Sequence, residues 1–318
     1  MKRLFYILLG VCVLFSFAGC SNKKEVAQDH GGMKDLDTMT IGILPDVDSI
    51  PFVIAQEKGF FHEEGVTVNL EHFKSPVDRD SALQSGNLDG AISDVLAAAF
   101  AHDNNFKVKI ISMTNGSYKL LAGKDSEIID LQGLKGKDVA ISKNTIIEYT
   151  TDQILIEKGL TGEDIHKVVI PKIPARLEML QNGKIDGATL PEPLATIAIK
   201  SGAKLLNSSD RLGINPGVLI FTSQSVEEKA QEIEAMFRAY NKAIDYLKKE
   251  PIENYIDLLI EKAGLPEAVR DVIELPDYTK ATLPTEKDVV EVIKWLYDKQ
   301  LIKKQYGFQD LVEEKFVR

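Results

Sequence analysis

Polar side chains follow the predicted strands at the points where each strand ends and a helix begins. In open α/β sheets, ligands bind at the edge formed by the carboxyl ends of the strands and the N-termini of the helices that follow. This rule selects nine side chains with hydroxyl, amide, phenol or carboxylate oxygens. They are Asp48, Ser49, Ser93, Asp94, Asn115, Asn144, Thr145, Tyr149 and Glu192. Such groups form hydrogen bonds with a small molecule, so we predict a ligand-binding site at this edge.

Several of these residues also have an alternative role in local structure. Asp48, Ser49 and Asp94 carry side chains that are preferred as helix N-caps, and both roles stay open for them. Glu192 lies between two prolines at a predicted helix start, where the helix dipole favours a carboxylate by about 0.3–1 kcal/mol. We nevertheless predict that Glu192 contacts the ligand. Tyr149 either stacks on a planar ligand or fills a gap between neighbouring parts of the fold.

The charges in this set favour one kind of ligand. It contains three carboxylates and no arginine, because Arg79, Arg176 and Arg211 fall in predicted helices or in a linker. An anion such as a sulfonate is normally held by an arginine fork or by free helix N–H groups. We therefore expect a neutral or amine-bearing ligand, although helix N-termini alone can bind an anion.

The spacing of the reactive residue types does not indicate catalysis. The histidines are scattered and include no pair at helical spacing for zinc. The sequence also lacks the G-x-S-x-G pattern of hydrolases and a phosphate-binding glycine loop. We predict no catalytic residue, no metal site and no cofactor.

Short apolar strands alternate with helices from Met39 onward, which predicts mostly parallel sheets covered by helices. One segment of this series occurs twice, as residues 83–91 (LQSGNLDGA) and, 97 residues later, as residues 180–188 (LQNGKIDGA). Each copy ends a helix at a glycine, turns at Asp-Gly and enters a strand. The repeat predicts two similar α/β lobes. A helix–turn–strand junction shared by many α/β proteins is the alternative.

Polar, turn-rich stretches set the predicted boundaries of the lobes. We assign residues 39–122 and 214–318 to lobe 1, and residues 123–213 to lobe 2. The strand at 118–122 is assigned to lobe 1, and the strand at 217–222 returns the chain to the first sheet. Two strands that cross between the lobes would form a hinge. Beyond residue 225 the pattern predicts helices over 226–249, 252–263 and 285–299 and near Leu311, which cover lobe 1.

The N-terminus resembles a bacterial lipoprotein signal. Residues 1–19 contain a positive start, an apolar run and small residues before Cys20, which would carry the lipid after cleavage. An ordinary signal peptide that is cut nearby is the alternative. Residues 20–38 are polar and predict a flexible tether. We therefore expect a protein anchored to the cell membrane on its extracytoplasmic face.

Charge and cysteine content narrow the possible partners and compartments. Cleavage would remove Lys2 and Arg3, and the formal net charge would move from −10 to −12. This acidic balance argues against nucleic acid as a partner. Cys20 would be the one cysteine left, so the mature chain cannot form an internal disulfide. We expect a monomer.

Four stretches together resemble the solute-binding proteins of ABC importers for nitrate, alkanesulfonates, taurine and thiamine-pyrimidine precursors. The stretches occur in the family's order and cover most of the chain from Met39 to about residue 223. They are residues 51–61 (PFVIAQEKGFF) with Gly65-Val66, the two repeated turns, residues 134–140 (LKGKDVA) and Pro191-Glu192-Pro193.

This resemblance implies a type II periplasmic-binding-protein fold with a solute held between two closing lobes. It also implies delivery of the solute to an ABC permease with its ATPase, and the carboxylates favour a solute similar to a pyrimidine precursor. An enzyme of the same fold, of the pyrimidine synthase or dehydratase type, is an alternative. The synthases carry a cysteine-rich motif that the mature chain lacks, and the dehydratases work in the cytoplasm without a lipoprotein signal. An extracellular sensor module that feeds no importer is a second alternative.

Overall fold

The computed structural model describes residues 36–317 of the chain. The predicted signal peptide, the lipidation residue Cys20 and the tether up to residue 35 lie outside these residues. The last residues of the predicted tether already contact the folded part of the protein. The backbone N–H of Asp37 donates to Glu232 at 3.1 Å, and Lys229 donates to the carbonyl of Thr38 at 2.8 Å. The chain is therefore held in place slightly before its first strand.

Residues 36–317 form strands that alternate with helices, as the sequence predicts. The strands are β1 Met39–Ile43, β2 Val68–His72, β3 Gly90–Asp94, β4 Val108–Met113, β5 Tyr118–Ala122, β6 Asp138–Ile141, β7 His166–Val169, β8 Gly187–Pro191, β9 Lys204–Ser208 and β10 Gly217–Thr222. The helices are α1 Ile50–Glu57, α2 Phe60–Glu63, α3 Pro76–Gln84, α4 Val95–Asp103, α5 Ile146–Ile156, α6 Ile173–Gln181, α7 Leu194–Lys200, α8 Ser209–Leu212, α9 Ser223–Glu228, α10 Ala230–Leu247, α11 Ile256–Lys262, α12 Glu286–Asp298 and α13 Phe308–Leu311.

The strands form two five-stranded sheets with equivalent topology. The order is β2-β1-β3-β10-β4 in the first sheet and β7-β6-β8-β5-β9 in the second. In each sheet one strand, β10 or β5, runs antiparallel to both of its neighbours. These two strands follow the segments in which the chain crosses from one sheet to the other. The predicted α/β fold of two similar lobes joined by two crossing strands is confirmed.

One strand was assigned to the wrong lobe. The strand β5 was predicted to belong to lobe 1, but it pairs with β8 and β9 in the second sheet. An apolar strand carries no mark of the sheet that it joins, and the polar stretch that predicts a boundary follows β5 instead of preceding it. The crossing in fact lies before β5, at residues 114–117.

The repeated segment leads into the central strand of each sheet, β3 or β8, and the structure explains why its residues recur. Asp89 accepts the backbone N–H of Thr40 at 2.8 Å, and Asp186 accepts that of Asp138 at 2.9 Å. Each aspartate thus fixes the turn to the neighbouring strand. The glycine after each aspartate is required by close packing, since a Cβ on Gly90 would lie 2.7 Å from the carbonyl of Ile220.

The C-terminal helices cover lobe 1 as predicted. The helix α10 packs against α1 and α2, and α12 packs against α4. Trp295 of α12 also shares a buried cluster with Ile147 and Tyr149 of α5, which belongs to the second lobe. The cover therefore touches both lobes. Over residues 36–317, every helix is too short or too polar to cross a membrane.

Candidate functional site

A small cavity lies between the two lobes, beyond the carboxyl ends of their strands. Its volume is about 20 Å³, which is room for about one water molecule. The first lobe contributes most of the charged side chains of the lining. The polar side chains from the second lobe are Tyr118 of β5 and Arg176 of α6. The polar and charged side chains that line the cavity are Asp46, Asp48, Arg79, Ser93, Asp94, Tyr118 and Arg176. Asp48, Ser93 and Asp94 were predicted as ligand contacts, and the structure brings these three together.

Two aspartates come from the turn that follows β1. Asp46 accepts hydrogen bonds from the backbone N–H and the hydroxyl of Ser49, at 3.2 and 3.0 Å, and so holds the turn. The Tyr118 hydroxyl donates to Asp48 Oδ2 at 3.4 Å. Asp48 Oδ1 and the Thr114 hydroxyl are both buried without a well-aligned hydrogen-bond partner among the described residues. Burial raises the pKa of Asp48 to about 6, although the Thr114 hydroxyl interacts with the Asp48 carboxylate and lowers this pKa.

Asp94 ends β3 and joins the two lobes. One carboxylate oxygen caps α4 by accepting the backbone N–H of Ala97 at 2.9 Å. The other accepts the backbone N–H of Ile146, at the start of α5 in the second lobe, at 3.3 Å. Burial raises the pKa of Asp94 to about 6, while Arg79 opposes this shift. Asp94 is therefore both a helix cap and a contact between lobes.

Arg79 lies in the first turn of α3, which begins at the Ser75 cap and Pro76. Its guanidinium donates to the carbonyl of Ile92 at 2.7 Å and to the hydroxyl of Ser93 at 2.8 Å. Asp80 forms an ion pair with it at 2.7 Å. Burial opposes the charge, but Asp80 and Asp94 raise the pKa of Arg79. The charge of Arg79 is thus balanced inside lobe 1.

Arg176 lies in α6 and is fully buried. Its Nε donates to the carbonyl of Thr189 at 3.1 Å, and its Nη1 donates to the carbonyl of Ile170 at 2.8 Å. Among residues 36–317 no acceptor lies in hydrogen-bonding geometry with Nη2. Burial lowers the pKa of Arg176 to about 9. Arg176 therefore presents a buried guanidinium with unused donor capacity.

Both arginines were missed because they fall inside predicted helices. A signal for them was nevertheless present, since Arg79 and Arg176 are 97 residues apart, which is the offset of the repeat. Extending the repeat four residues towards the N-terminus pairs them. The carbonyls that they contact, Ile92 and Thr189, are related by the same offset. The neighbours differ, because Asp80 in lobe 1 corresponds to Leu177 in lobe 2.

Six predicted contacts do not line the cavity, and most of them fix local structure instead. Ser49 bonds to Asp46, and the Asn115 amide bonds to Thr279 of the C-terminal segment. Thr145 caps α5, and the Asn144 backbone N–H donates to Glu148 at 2.7 Å. The remaining two residues are Tyr149 and Glu192.

Glu192 does not line the cavity in this structure, and its predicted ligand contact stays a prediction. It forms an ion pair with Lys119 and accepts the backbone N–H and the hydroxyl of Thr196, at 3.1 and 2.8 Å. The side chain therefore caps α7 within lobe 2. The Glu192 backbone carbonyl does reach the other lobe, where it accepts the N–H of Val47 at 3.1 Å.

Tyr149 fills the gap between the lobes. Its ring meets the edge of Trp295 of α12, with centroids 5.6 Å apart. One turn further along α5, Asp152 accepts the Trp295 indole N–H at 3.2 Å and pairs with Lys299 at 2.7 Å. Lys167 of lobe 2 also pairs with Asp152 at 2.7 Å. We call Asp152, Trp295 and Lys299 the interlobe latch.

Across the described residues, no group of three or more histidine, cysteine, aspartate or glutamate side chains could hold a metal ion. The polar atoms of the cavity are donors and acceptors of fixed position, and they can bind and orient a polar molecule.

Comparison with known proteins agrees with this arrangement. A protein of Bacillus subtilis (strain 168) named for binding aliphatic sulfonates is 26% identical over 100% of this chain and 96% of its own. A 4-amino-5-hydroxymethyl-2-methylpyrimidine phosphate synthase of Saccharomyces cerevisiae is 24% identical over 70% of this chain and 71% of its own. The solved structure of the alkanesulfonate-binding protein of Xanthomonas axonopodis pv. citri, bound to MOPS, superposes with a TM-score of 0.75 at 18% identity. This match covers 88% of this chain and 99% of that one.

These similarities confirm the predicted type II periplasmic-binding-protein fold. The family model described as "NMT1/THI5 like" matches residues 46–254, which is more than half of the chain. The chain belongs to the NMT1/THI5-like family.

Proposed function

We propose that this protein is the extracytoplasmic solute-binding component of an ABC importer. The observation that carries the proposal is the cavity between the lobes, where buried carboxylates and guanidinium groups from both lobes meet. Burying a charge without a partner costs several kcal/mol even after relaxation. Such a cavity is best explained by a polar solute that pairs with these groups. The full-length similarity to a protein named for binding sulfonates supports the same role.

The solute reaches this cavity by separation of the two lobes. A volume of about 20 Å³ is far below the roughly 300 Å³ of a small-molecule site. The segments that cross between the sheets, residues 114–117 and 209–216, act as the hinge. Opening would break the interlobe bonds from Ile173 N–H to the Lys74 carbonyl and from Val47 N–H to the Glu192 carbonyl, both 3.1 Å long.

The presence of two arginines in the cavity changes the charge that we expect for the solute. The expectation of a neutral or amine-bearing solute, similar to a pyrimidine precursor, depended on a site without arginine. Arg79 and Arg176 line the cavity together with the aspartates, so an anionic group is no longer disfavoured. The carboxylates still favour a solute that donates hydrogen bonds.

The remaining parts of the proposal come from the N-terminal sequence and the family resemblance. Lipid on Cys20 anchors the protein to the extracytoplasmic face of the cell membrane, and residues 21–35 connect the anchor to the lobes. The partners are an ABC permease and its ATPase, and the protein acts as a monomer without catalysis.

Small-angle scattering of the mature protein tests closure. Mass spectrometry of protein purified from its own host identifies the solute that is carried along. Saturating the protein with this compound should decrease the protein's radius of gyration. The compound should be recovered chemically unchanged. Tight binding with an unchanged radius would contradict closure, and conversion of the compound would favour an enzyme of the same fold. Loss of solute uptake on deletion of the gene separates an importer component from a sensor module.

A further inference from the structure

An irregular segment between α11 and α12 runs beside the first hinge segment. We call its residues 278–282 the C-terminal strap. The backbone N–H of Ala281 donates to Asn241 Oδ1 of α10 at 2.9 Å. The carbonyl of Thr282 accepts the backbone N–H of Met113, the last residue of β4, at 2.7 Å. The strap is therefore fixed to lobe 1 at the point where the chain leaves that lobe.

The strap also contacts the hinge itself, through one side chain. Asn115 lies within the hinge segment 114–117, and its Oδ1 accepts the backbone N–H of Thr279 at 3.2 Å. The Nδ2 of the same amide group donates to the Thr279 hydroxyl at 3.3 Å. Because both polar atoms of Asn115 bond to one strap residue, the start of the hinge has a fixed position relative to the strap.

One residue earlier, Tyr278 contacts the turn after β1 that carries Asp48. Its side chain is buried, and its hydroxyl donates to the carbonyl of Val47 at 2.7 Å. Burial and the nearby Asp48 carboxylate raise the pKa of Tyr278, so the hydroxyl keeps its proton. The N–H of the same Val47 donates to the Glu192 carbonyl of lobe 2 at 3.1 Å. Val47 is thus bonded to the strap on one side and to lobe 2 on the other.

We infer that the C-terminal strap is a positioning element for solute binding, in which Tyr278 orients Val47 towards lobe 2 and Asn115 connects this orientation to the hinge. This inference rests on the proposed solute-binding function and adds residues that do not line the cavity. In the open protein the bond from Val47 to Glu192 is broken, and the bond from Tyr278 still holds the turn as closure requires. A turn that is already ordered loses less conformational entropy on closure, so the strap favours the closed protein.

Hydrogen exchange of the solute-free mature protein tests the positioning step. Tyr278→Phe removes the hydroxyl and retains the ring. Tyr255→Phe is the matched control, because both tyrosines are 3% exposed, whereas Tyr255 packs against Tyr246 and, in the described structure, its hydroxyl forms no hydrogen bond with the β1 turn. Exchange of residues 45–50 should become about two- to tenfold faster in Tyr278→Phe and stay unchanged in the control. A general loss of stability would instead speed up exchange throughout both sheets.

The effect on binding is measured by calorimetry with the co-purified compound that mass spectrometry identifies. Tyr278→Phe should weaken the affinity for this compound about two- to tenfold, and Tyr255→Phe should leave it unchanged.

Asn115→Ala removes the contact between the strap and the hinge. It should weaken affinity for the same compound and speed up exchange of residues 45–50 in the solute-free protein. A direct contact between Asn115 and solute would lower affinity without that change in exchange. The double variant Tyr278→Phe with Asn115→Ala should lose less affinity than the product of the two single losses, because both changes interrupt one connection.

Two results overturn the inference. Equal exchange of residues 45–50 in Tyr278→Phe and Tyr255→Phe would show that the strap does not hold the turn, whether or not a solute is found. Faster exchange with unchanged affinity would show that the strap stabilises the turn without acting on binding. The proposed solute-binding function stands in both cases if the co-purified compound closes the unmodified protein. Absence of closure with that compound would contradict the function, and with it the inference.

Discussion

The interlobe latch offers a way to change solute affinity without touching the cavity. Asp152, Trp295 and Lys299 do not line the cavity, yet they connect α5 of lobe 2 to α12 on lobe 1. The perturbation is the double variant Trp295→Phe with Lys299→Met. It removes the indole N–H and the ammonium group but retains an aromatic ring beside Tyr149.

The expected loss of solute affinity follows from the burial of the groups that form the latch. A hydrogen bond to a charged group contributes about 1.5–3 kcal/mol. Lys299 is one-third exposed, so its ion pair adds about 0.2–1 kcal/mol. Because Asp152 retains its ion pair with Lys167 in either state, we reduce the expected loss to about 1–2 kcal/mol. If opening breaks the latch, affinity for the solute should fall about 5- to 30-fold.

Calorimetry and stopped-flow kinetics measure this loss, which should appear mainly as faster dissociation. The matched control is Lys294→Met on the same helix, since Lys294 is two-thirds exposed and pairs within α12 with Asp298. The control should bind solute like the unmodified protein. A latch variant that closes on solute with less than a twofold change in affinity would refute the reasoning.

Three further predictions concern the cavity, the hinge and the anchor. Burial raises the pKa of Asp48 to about 6, and Asp46, Arg79 and Tyr118 face this carboxyl group. The protonated Asp48 therefore contributes fully to stability below the pKa of an unfolded aspartate, about 3.9, and this contribution is lost as pH rises through about 6. Asp48→Asn should therefore raise the free energy of unfolding by about 1–3 kcal/mol at pH 8 and change it little at pH 4, and urea denaturation that shows equal effects at both pH values would contradict this. Gly116→Ala should weaken solute binding about tenfold in calorimetry, because the new Cβ would lie 2.4 Å from Asp48 Oδ2 and displace that carboxylate; an unchanged affinity would mean that Asp48 does not contact solute. Cys20→Ala should move the protein out of the membrane fraction or leave it as uncleaved precursor, and a wild-type protein found wholly soluble would exclude the lipid anchor.

Several levels of the fold could be predicted from local patterns. Alternation of strands and helices, together with the segment repeated at 97 residues, indicates two similar lobes, because the same turn must be built wherever a helix leads into a central strand. The polar residues at strand ends led to Asp48, Ser93 and Asp94, since topology alone places strand ends at one edge. These inferences need only local sequence patterns and no knowledge of which residues meet in space.

The functional assignment of individual side chains could not be predicted in this way. Glu192 and Asp48 both follow strands, but Lys119 and Thr196 pair with Glu192, whereas the buried Asp48 carboxylate interacts only with hydroxyl groups, those of Thr114 and Tyr118, among the side chains that stabilise its charge by hydrogen bonds. Which sheet receives β5 depends on pairing with strands that lie far along the chain. A strand or a carboxylate has the same local sequence signal in either arrangement.

By itself, the sequence determined the fold class, the two-lobed repeat and the edge of the sheets at which we predict a ligand-binding site, because these follow from periodicity and from the direction of the strands. Only the tertiary structure decided which charges are balanced. Arg79 and Arg176 occupy equivalent positions in the repeat, but Asp80 neutralises the first, while the second is buried among backbone carbonyls with Nη2 unpaired in the described part of the chain. The free energy of a buried charge depends on all the groups around it in space, and packing brings those groups together from distant parts of the chain.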